Sequence, residues 1–146
     1  MKISLILFAL LSGNILNAQV VPFYSASNNK YGYKDEKGKV VIQPKYDLAY
    51  TPEEGMAAVR INGKYGYVDQ HGKEVIPPKY DSTWKFIGGY AAVELNGKYG
   101  FIDKTGKIVV PLIYEDANNY HGNCCYKGEA HVRQNGKWKI IKIGKI

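Results

Sequence analysis

The chain has 146 residues, of which 45% are hydrophobic and 23% are charged, and its formal net charge is +7 at pH 7. This length holds one domain or one short repeat array, and the balance of apolar and charged residues excludes a disordered chain. The 13 tyrosines and 16 glycines indicate strands joined by tight turns. They disfavour a helical protein, because glycine and aromatic residues are poor helix formers.

The first 18 residues have the pattern of an export signal. Lys2 gives a short positive start, residues 3–11 are nearly all apolar, and Ala18 offers a small residue before a cut at Gln19. The apolar run is too short to span a bilayer, which needs about 20 such residues. A buried N-terminal strand or helix is the alternative. We therefore expect an exported protein, periplasmic or secreted and surface-associated, whose mature chain has no transmembrane segment.

The rest of the chain is a tandem repeat. A Tyr-Gly pair recurs with a spacing of 34 residues, at Tyr31, Tyr65 and Tyr99. A partial fourth copy begins at Lys137, after an insertion of five residues in the third copy. A fixed period of this size marks a repeat architecture. One repeat domain is predicted over residues 19–146, with units at 28–61, 62–95, 96–134 and a partial unit at 135–146.

The first turn signal of each unit is an Asn-Gly pair. Asn62-Gly63 lies between two strand-like runs and predicts a two-residue type I′ hairpin, in which both central residues need a positive φ. The pairing that follows places Val59 opposite Gly66. The signal recurs at Asn96-Gly97 and Asn135-Gly136, and its place in the first copy is taken by Asn28-Asn29.

A second turn follows each hairpin. In the second unit it runs from Asp69, whose carboxylate can bond the backbone ahead of it, to Gly72, which can take the left-handed conformation. A third strand at 74–76 is expected to end at the prolines, because proline cannot donate to a ladder. Each unit is thus a three-stranded meander. The missing side chain of Gly66 leaves a gap beside Val59 that an aromatic ring from a neighbouring unit could fill.

These motifs resemble the WG-repeat family of bacterial proteins. The segment that starts at Asn62 reads Asn-Gly-Lys-Tyr-Gly-Tyr-Val-Asp-Gln-His-Gly-Lys, and the family signature is an aromatic residue, usually Trp, followed by Gly. Tyr stands in the Trp position of three copies, while the last copy keeps Trp138 but has Lys139 where Gly is expected. The resemblance provides no catalytic residue and no cofactor. The expected fold is all-β, with the meander repeats in a stacked or superhelical array; the alternative is a propeller-like or barrel closure.

Two groups of residues are candidates for binding. The repeated aromatic position is either a strand-packing position or a platform for sugar rings or another flat ligand, and it holds Tyr33, Tyr67 and Phe101. The insertion at 115–128 is either an ordinary loop or a binding loop, and its candidate residues are Tyr120 and His121. His121, Cys124 and Cys125 with His131 match no strong zinc spacing, so no metal is expected. The state of the two cysteines stays open.

The charge and the motifs narrow the range of expected functions. Lysines flank the turns, where they keep strand edges soluble or attract an anionic glycan, the cell wall or lipid. No nucleic-acid partner is expected, because the only arginines are Arg60 and Arg133 and base reading depends on arginine. The repeated aspartates, such as Asp69, suit turn capping better than catalysis. The expected function is a non-catalytic binding or protein-interaction module of the cell envelope; the alternatives are a cell-wall glycan-binding module and, more remotely, a small hydrolase.

The export signal predicts a processed N-terminus. Mass spectrometry of the protein recovered from the producing cell is expected to find Gln19 or an adjacent residue at the N-terminus, because the apolar run ends at Ala18. A folded product that retains Met1 would contradict this prediction.

Overall fold

A computed structural model describes residues 19–118, 125 and 128–144, and within these residues the protein is all-β without an α-helix. The first sheet contains β1 (Val21–Ser25), β2 (Lys30–Lys34) and β3 (Val40–Tyr46). The second contains β4 (Leu48–Ala49), β5 (Met56–Ile61), β6 (Lys64–Asp69) and β7 (Glu74–Tyr80). The third contains β8 (Ser82–Thr83), β9 (Tyr90–Leu95), β10 (Lys98–Asp103) and β11 (Ile108–Tyr114). The fourth contains β12 (Asp116–Asn118), β13 (Glu129–Gln134) and β14 (Lys137–Lys142).

The predicted Asn-Gly hairpins are confirmed. Asn62 and Gly63 have φ values of 51° and 76°, and the strands on either side pair Ile61 with Lys64 and Val59 with Gly66. The later Asn-Gly pairs have the same signs of φ. The first copy differs, because Ser25 pairs with Lys30 and leaves a loop of residues 26–29. Asn29 in this loop still takes the left-handed conformation, with a φ of 55°, which asparagine tolerates better than most residues.

The second turn is also confirmed. The Asp69 carboxylate accepts hydrogen bonds from the backbone N–H groups of His71 and Lys73, both at 2.9 Å. Gly72 closes the turn with a φ of 83°. Asp35 and Asp103 accept the equivalent bonds in the other copies. These aspartates therefore cap turns, as the sequence predicted.

The third strand does not stop at the prolines, and this expectation was wrong. β7 runs on to Tyr80, with a register shift between the Tyr65–Tyr80 and Tyr67–Ile76 pairs. Because the prolines lie in this bulge, the ladder does not need their missing N–H groups. A Cβ placed on Gly66 would lie 2.3 Å from the Ile76 carbonyl oxygen. The bulged backbone of β7 itself therefore fills the gap at Gly66, and no aromatic ring from a neighbouring unit does so.

A short extra strand turns the expected three-stranded meander into a four-stranded sheet in the middle of the array. After β3 the chain passes Asp47, and Leu48 of β4 pairs with Arg60 of β5. β8 pairs with β9, and β12 with β13, in the same way. Each new sheet therefore begins just after the last strand of the sheet before it. The units predicted from the sequence begin at each Asn-Gly pair. This division places β5 and β6 in different units, although the two strands pair with each other.

The central strands of each middle sheet are buried on both faces. Ala57 and Val59 of β5 belong to the cluster between the first and second sheets, whereas Met56 and Ala58 belong to the cluster between the second and third. A further cluster lies between the third and fourth sheets, around Phe101. Consecutive sheets therefore share cores in a stacked array, in agreement with the expected fold. Each fully buried apolar side chain contributes about 1.5–3 kcal/mol to such a core.

The carboxylates that directly follow β3 and β7 join one sheet to the next. Asp47 accepts a hydrogen bond from the Asn62 backbone N–H at 2.8 Å and also pairs with Lys30 of the first sheet. The hydrogen bond from Lys30 is the largest cause that holds the pKa of Asp47 below its usual value. Asp81 makes the same bonds with Asn96 and Lys64. Two of the turn lysines thus have a structural partner.

The bulge over Gly66 can be tested by adding one methyl group. Gly66→Ala is expected to lower the free energy of unfolding by about 3 kcal/mol, the upper part of the range for overpacking, because the colliding atoms are backbone. Gly63→Ala is the matched control, since a Cβ there would have no neighbour within 4 Å and would add only left-handed strain of about 1 kcal/mol. Urea unfolding measures both variants. Equal losses would contradict the bulge packing.

Candidate binding cleft between the second and third sheets

A cleft of about 300 Å³ opens where the linker from β4 to β5 faces the start of the third sheet. Its apolar wall is formed by Tyr50, Met56, Ala58 and Trp84. Its polar groups belong to Thr51, Glu53, Thr83 and Lys85. The cleft therefore combines aromatic surface with hydrogen-bonding groups, the usual composition of a small-ligand site.

Tyr50 and Trp84 occupy the same position in consecutive repeats, 34 residues apart. Tyr50 is 50% exposed, whereas Trp84 is half-buried and packs against Tyr99 with ring centroids 5.7 Å apart. The two residues form an aromatic row that crosses from one sheet to the next. This row was not predicted from the sequence, although its 34-residue spacing was the signal that could have revealed it.

Buried tyrosine hydroxyls hold the backbone of this row. The Tyr33 hydroxyl donates to the Tyr50 carbonyl at 2.7 Å, and the Tyr67 hydroxyl donates to the Trp84 carbonyl at 2.6 Å. The Tyr67 hydroxyl also bonds the Thr83 hydroxyl. Burial raises the pKa of both tyrosines well above the usual range, so both hydroxyls stay protonated donors.

Of the two interpretations of Tyr33, Tyr67 and Phe101, the strand-packing position is confirmed and the exposed platform was wrong. All three side chains are fully buried. They do lie on one face of their strands, as alternation predicts, but the next sheet in the array covers that face. Tyr33 and Tyr67 reach the cleft only through the backbone that they hold, and Phe101 has no hydroxyl with which to do the same.

The other candidate residues fall mostly outside the described part of the chain. Tyr120, His121 and Cys124 lie there, so their roles stay predictions. Of the residues considered as metal ligands, Cys125 is buried and His131 is exposed. Among the described residues, no group of three or more His, Cys, Asp or Glu side chains could hold a metal ion. No described segment forms a helix long and apolar enough to cross a membrane.

Glu54 connects the two linkers that border the cleft through hydrogen bonds. Its carboxylate accepts hydrogen bonds from the backbone N–H groups of Gly88 and Gly89 at 2.7 and 2.9 Å, and Lys104 lies 3.5 Å away. Burial pushes the pKa of Glu54 up, but the two amides and Lys104 outweigh it, so the pKa is lowered. The carboxylate is therefore ionised at neutral pH and joins the second sheet to the third. Glu54 was not predicted from the sequence as a functional residue.

An ion pair between Glu53 and Lys85 lies at the mouth of the cleft. Glu53 and Lys85 form an ion pair at 2.9 Å, and both side chains are about half exposed. Exposed pairs of this kind contribute little to stability. Both charged groups therefore remain available to a ligand in the cleft.

The fold and the cleft define a class of protein: a tandem β-sheet repeat array with a ligand-sized cleft between consecutive sheets. A family model described as the WG containing repeat matches residues 31–65, 65–99 and 99–138. The chain belongs to the WG-repeat family. Comparisons with curated proteins and with solved structures give no significant match.

The hydroxyl that holds Trp84 provides a stability test. Tyr67→Phe is expected to lower the free energy of unfolding by about 1 kcal/mol, because the Trp84 carbonyl loses its 2.6 Å hydrogen bond and keeps only the 3.5 Å bond from the Thr83 hydroxyl. Thermal and urea unfolding measure the change.

Tyr80→Phe is the matched control for this test. Within the described residues the buried Tyr80 hydroxyl has no hydrogen-bond partner. Its counterpart Tyr46 reaches Glu74 at 3.4 Å, but the third copy has Ile108 at the position of Glu74. Removal of the Tyr80 hydroxyl is therefore expected to be neutral or stabilising. If both variants lost the same free energy, the hydroxyl of Tyr67 would have no special role.

Proposed function

We propose that the protein is an exported, non-catalytic binding module of the cell envelope, and that its ligand enters the cleft between the second and third sheets. The observation that carries this proposal is the aromatic row at the cleft, where Tyr50 is half exposed and Trp84 lines the same cleft. A cavity of about 300 Å³ is at the lower end of the usual range for small-ligand sites. It suits one ring or one side chain of a larger partner.

The support around the cleft also favours binding. Tyr33 and Tyr67 fix the backbone of the row, and Glu54 fixes the linkers on either side. A site whose backbone is held before the ligand arrives loses less entropy on binding. Binding residues on loops that a rigid scaffold positions are the common arrangement in proteins.

The envelope location rests on the N-terminal sequence. Lys2, the apolar residues 3–11 and Ala18 form the expected export signal, and they lie outside the described residues. A partner in the envelope follows from that expectation. The proposal names neither nucleic acid nor a cofactor.

A cleft-filling variant tests the proposal. The purified protein is immobilised and exposed to the cell-envelope fraction of the producing cell, beside the Ala58→Tyr variant. Ala58 lines the cleft, and its counterpart in the first copy is Tyr24, so the repeat accepts a tyrosine at this position. The wild-type protein is expected to retain envelope material that Ala58→Tyr does not. Tyr24→Ala, which removes an exposed side chain elsewhere, is the control.

Other outcomes would assign binding to a different site or change the class of function. Equal retention by the wild-type and Ala58→Tyr proteins, with unchanged circular dichroism, would exclude the cleft as the site. Loss of retention only after deletion of residues 119–123 would assign binding to the insertion. A turnover that a single substitution of His71, His121 or Cys124 abolishes, without loss of fold, would make the protein an enzyme.

A further inference from the structure

Resting on the binding function proposed above, we propose that the ligand in the cleft is a pyranose ring of a neutral glycan chain. The ring lies against Trp84 and Tyr50, and its hydroxyl groups bond Glu53, Lys85 and Thr51.

The aromatic row provides the surface for such a ring. One face of a pyranose exposes C–H groups, which carry a partial positive charge and are attracted to the negative face of an aromatic side chain. Trp84 lines the cleft while it packs against Tyr99 and the core around Phe101, and Tyr50 is half exposed. Because the Tyr67 hydroxyl holds the Trp84 carbonyl, the backbone beneath the ring does not have to reorganise. Both aromatic residues thus present apolar surface that is already in place.

The direction of the row favours a chain of rings over an isolated sugar. Tyr50 and Trp84 stand at one repeat position on consecutive sheets, so the row follows the axis of the stack. Stacked sheets lie about 10 Å apart, which is comparable to the length of a disaccharide. One ring fills the cavity of about 300 Å³, and its neighbours along the chain continue over the rim.

The rim favours a neutral polyol over other ligands. Glu53 offers acceptors, Lys85 offers donors, and the exposed Thr51 hydroxyl offers both. A sugar hydroxyl needs both kinds of partner. An anionic ligand would meet the Glu53 carboxylate, and a purely apolar side chain would desolvate the Glu53–Lys85 pair without replacing its hydrogen bonds.

The neighbouring interfaces lack the same combination of residues. The counterpart of Ala58 at the preceding interface is Tyr24, which is much larger. The counterpart of Met56 at the following interface is Tyr90, whose hydroxyl approaches the backbone at Gly144 so closely that an added Cβ there would lie 1.9 Å away. The opening at Ala58 and Met56 therefore belongs to sequence variation between copies and not to the repeat itself.

The chain offers a single reporter for the cleft. It has two tryptophans, and Trp138 is 48% exposed on the fourth sheet. In a Trp138→Phe protein, fluorescence excited at a wavelength that only tryptophan absorbs therefore reports Trp84 alone. This protein is titrated with four neutral tetrasaccharides, namely those of β-linked glucose, β-linked N-acetylglucosamine, α-linked glucose and α-linked mannose. At least one is expected to shift the Trp84 emission in a saturable way.

Variants assign the signal to the cleft. Tyr50→Ala and Ala58→Tyr, each made in the Trp138→Phe protein, are expected to weaken the binding of that tetrasaccharide at least tenfold. Tyr24→Ala is expected to leave it within twofold. Tyr50 is half exposed, so Tyr50→Ala keeps the test valid even if Ala58→Tyr fails to fold.

The outcomes separate the glycan inference from the wider proposal. If no tetrasaccharide shifts the Trp84 emission, the glycan inference is wrong. If, in addition, the envelope material retained through the cleft is destroyed by protease, the binding module stands with a protein partner. If that material resists protease but no tetrasaccharide binds, a neutral glycan is likewise excluded. If filling the cleft changes neither experiment, the inference and the proposed site fail together.

Discussion

A single unit of a repeat array cannot bury its apolar residues alone, and stacking against its neighbours buries them. In this protein that constraint applies to both faces of each middle sheet, because Ala57 and Val59 meet one neighbour while Met56 and Ala58 meet the other. The strands therefore carry apolar residues on both sides and lack the alternation of apolar and polar residues that a half-exposed sheet shows. Small alanines at these places let the sheets approach one another, and the repeat period keeps the same positions in contact at each interface.

The polar connections follow from the same stacking. Where one sheet ends and the next begins, a carboxylate such as Asp47 bonds both, and Glu54 bonds the amides of Gly88 and Gly89 in the next sheet. Tyrosine hydroxyls from the buried face reach across to carbonyl groups of the following linker. The linkers are thus held by their neighbours, and they are also where the copies differ most. A surface that is rigid in backbone and variable in side chain is a suitable place for recognition.

The cleft shows how a repeat can gain a site without a change of fold. Its floor depends on Ala58 and Met56; the first copy has Tyr24 at the place of Ala58, and the third copy has Tyr90 at the place of Met56. The aromatic row depends on Tyr50 and Trp84, which share one repeat position. The residues that the copies share therefore build the scaffold. The residues that differ between copies give this interface a cleft that can bind a sugar ring. The paired charges of Glu53 and Lys85 then favour a ligand rich in neutral hydroxyl groups.

The sequence by itself determined the features that depend on a few adjacent residues. The Asn62-Gly63 hairpin and the Asp69–Gly72 turn were predicted correctly, because the required signs of φ and the capping bonds are local. The 34-residue period determined the family and the all-β stack. Tertiary structure decided the rest. β7 continues past its prolines because, at the bulge over Gly66, the ladder does not need the N–H groups that proline lacks. Tyr67 is buried because the next sheet covers its face. Alternation along a strand tells which residues share a face, but only the packing of the sheets decides which face remains open to a ligand.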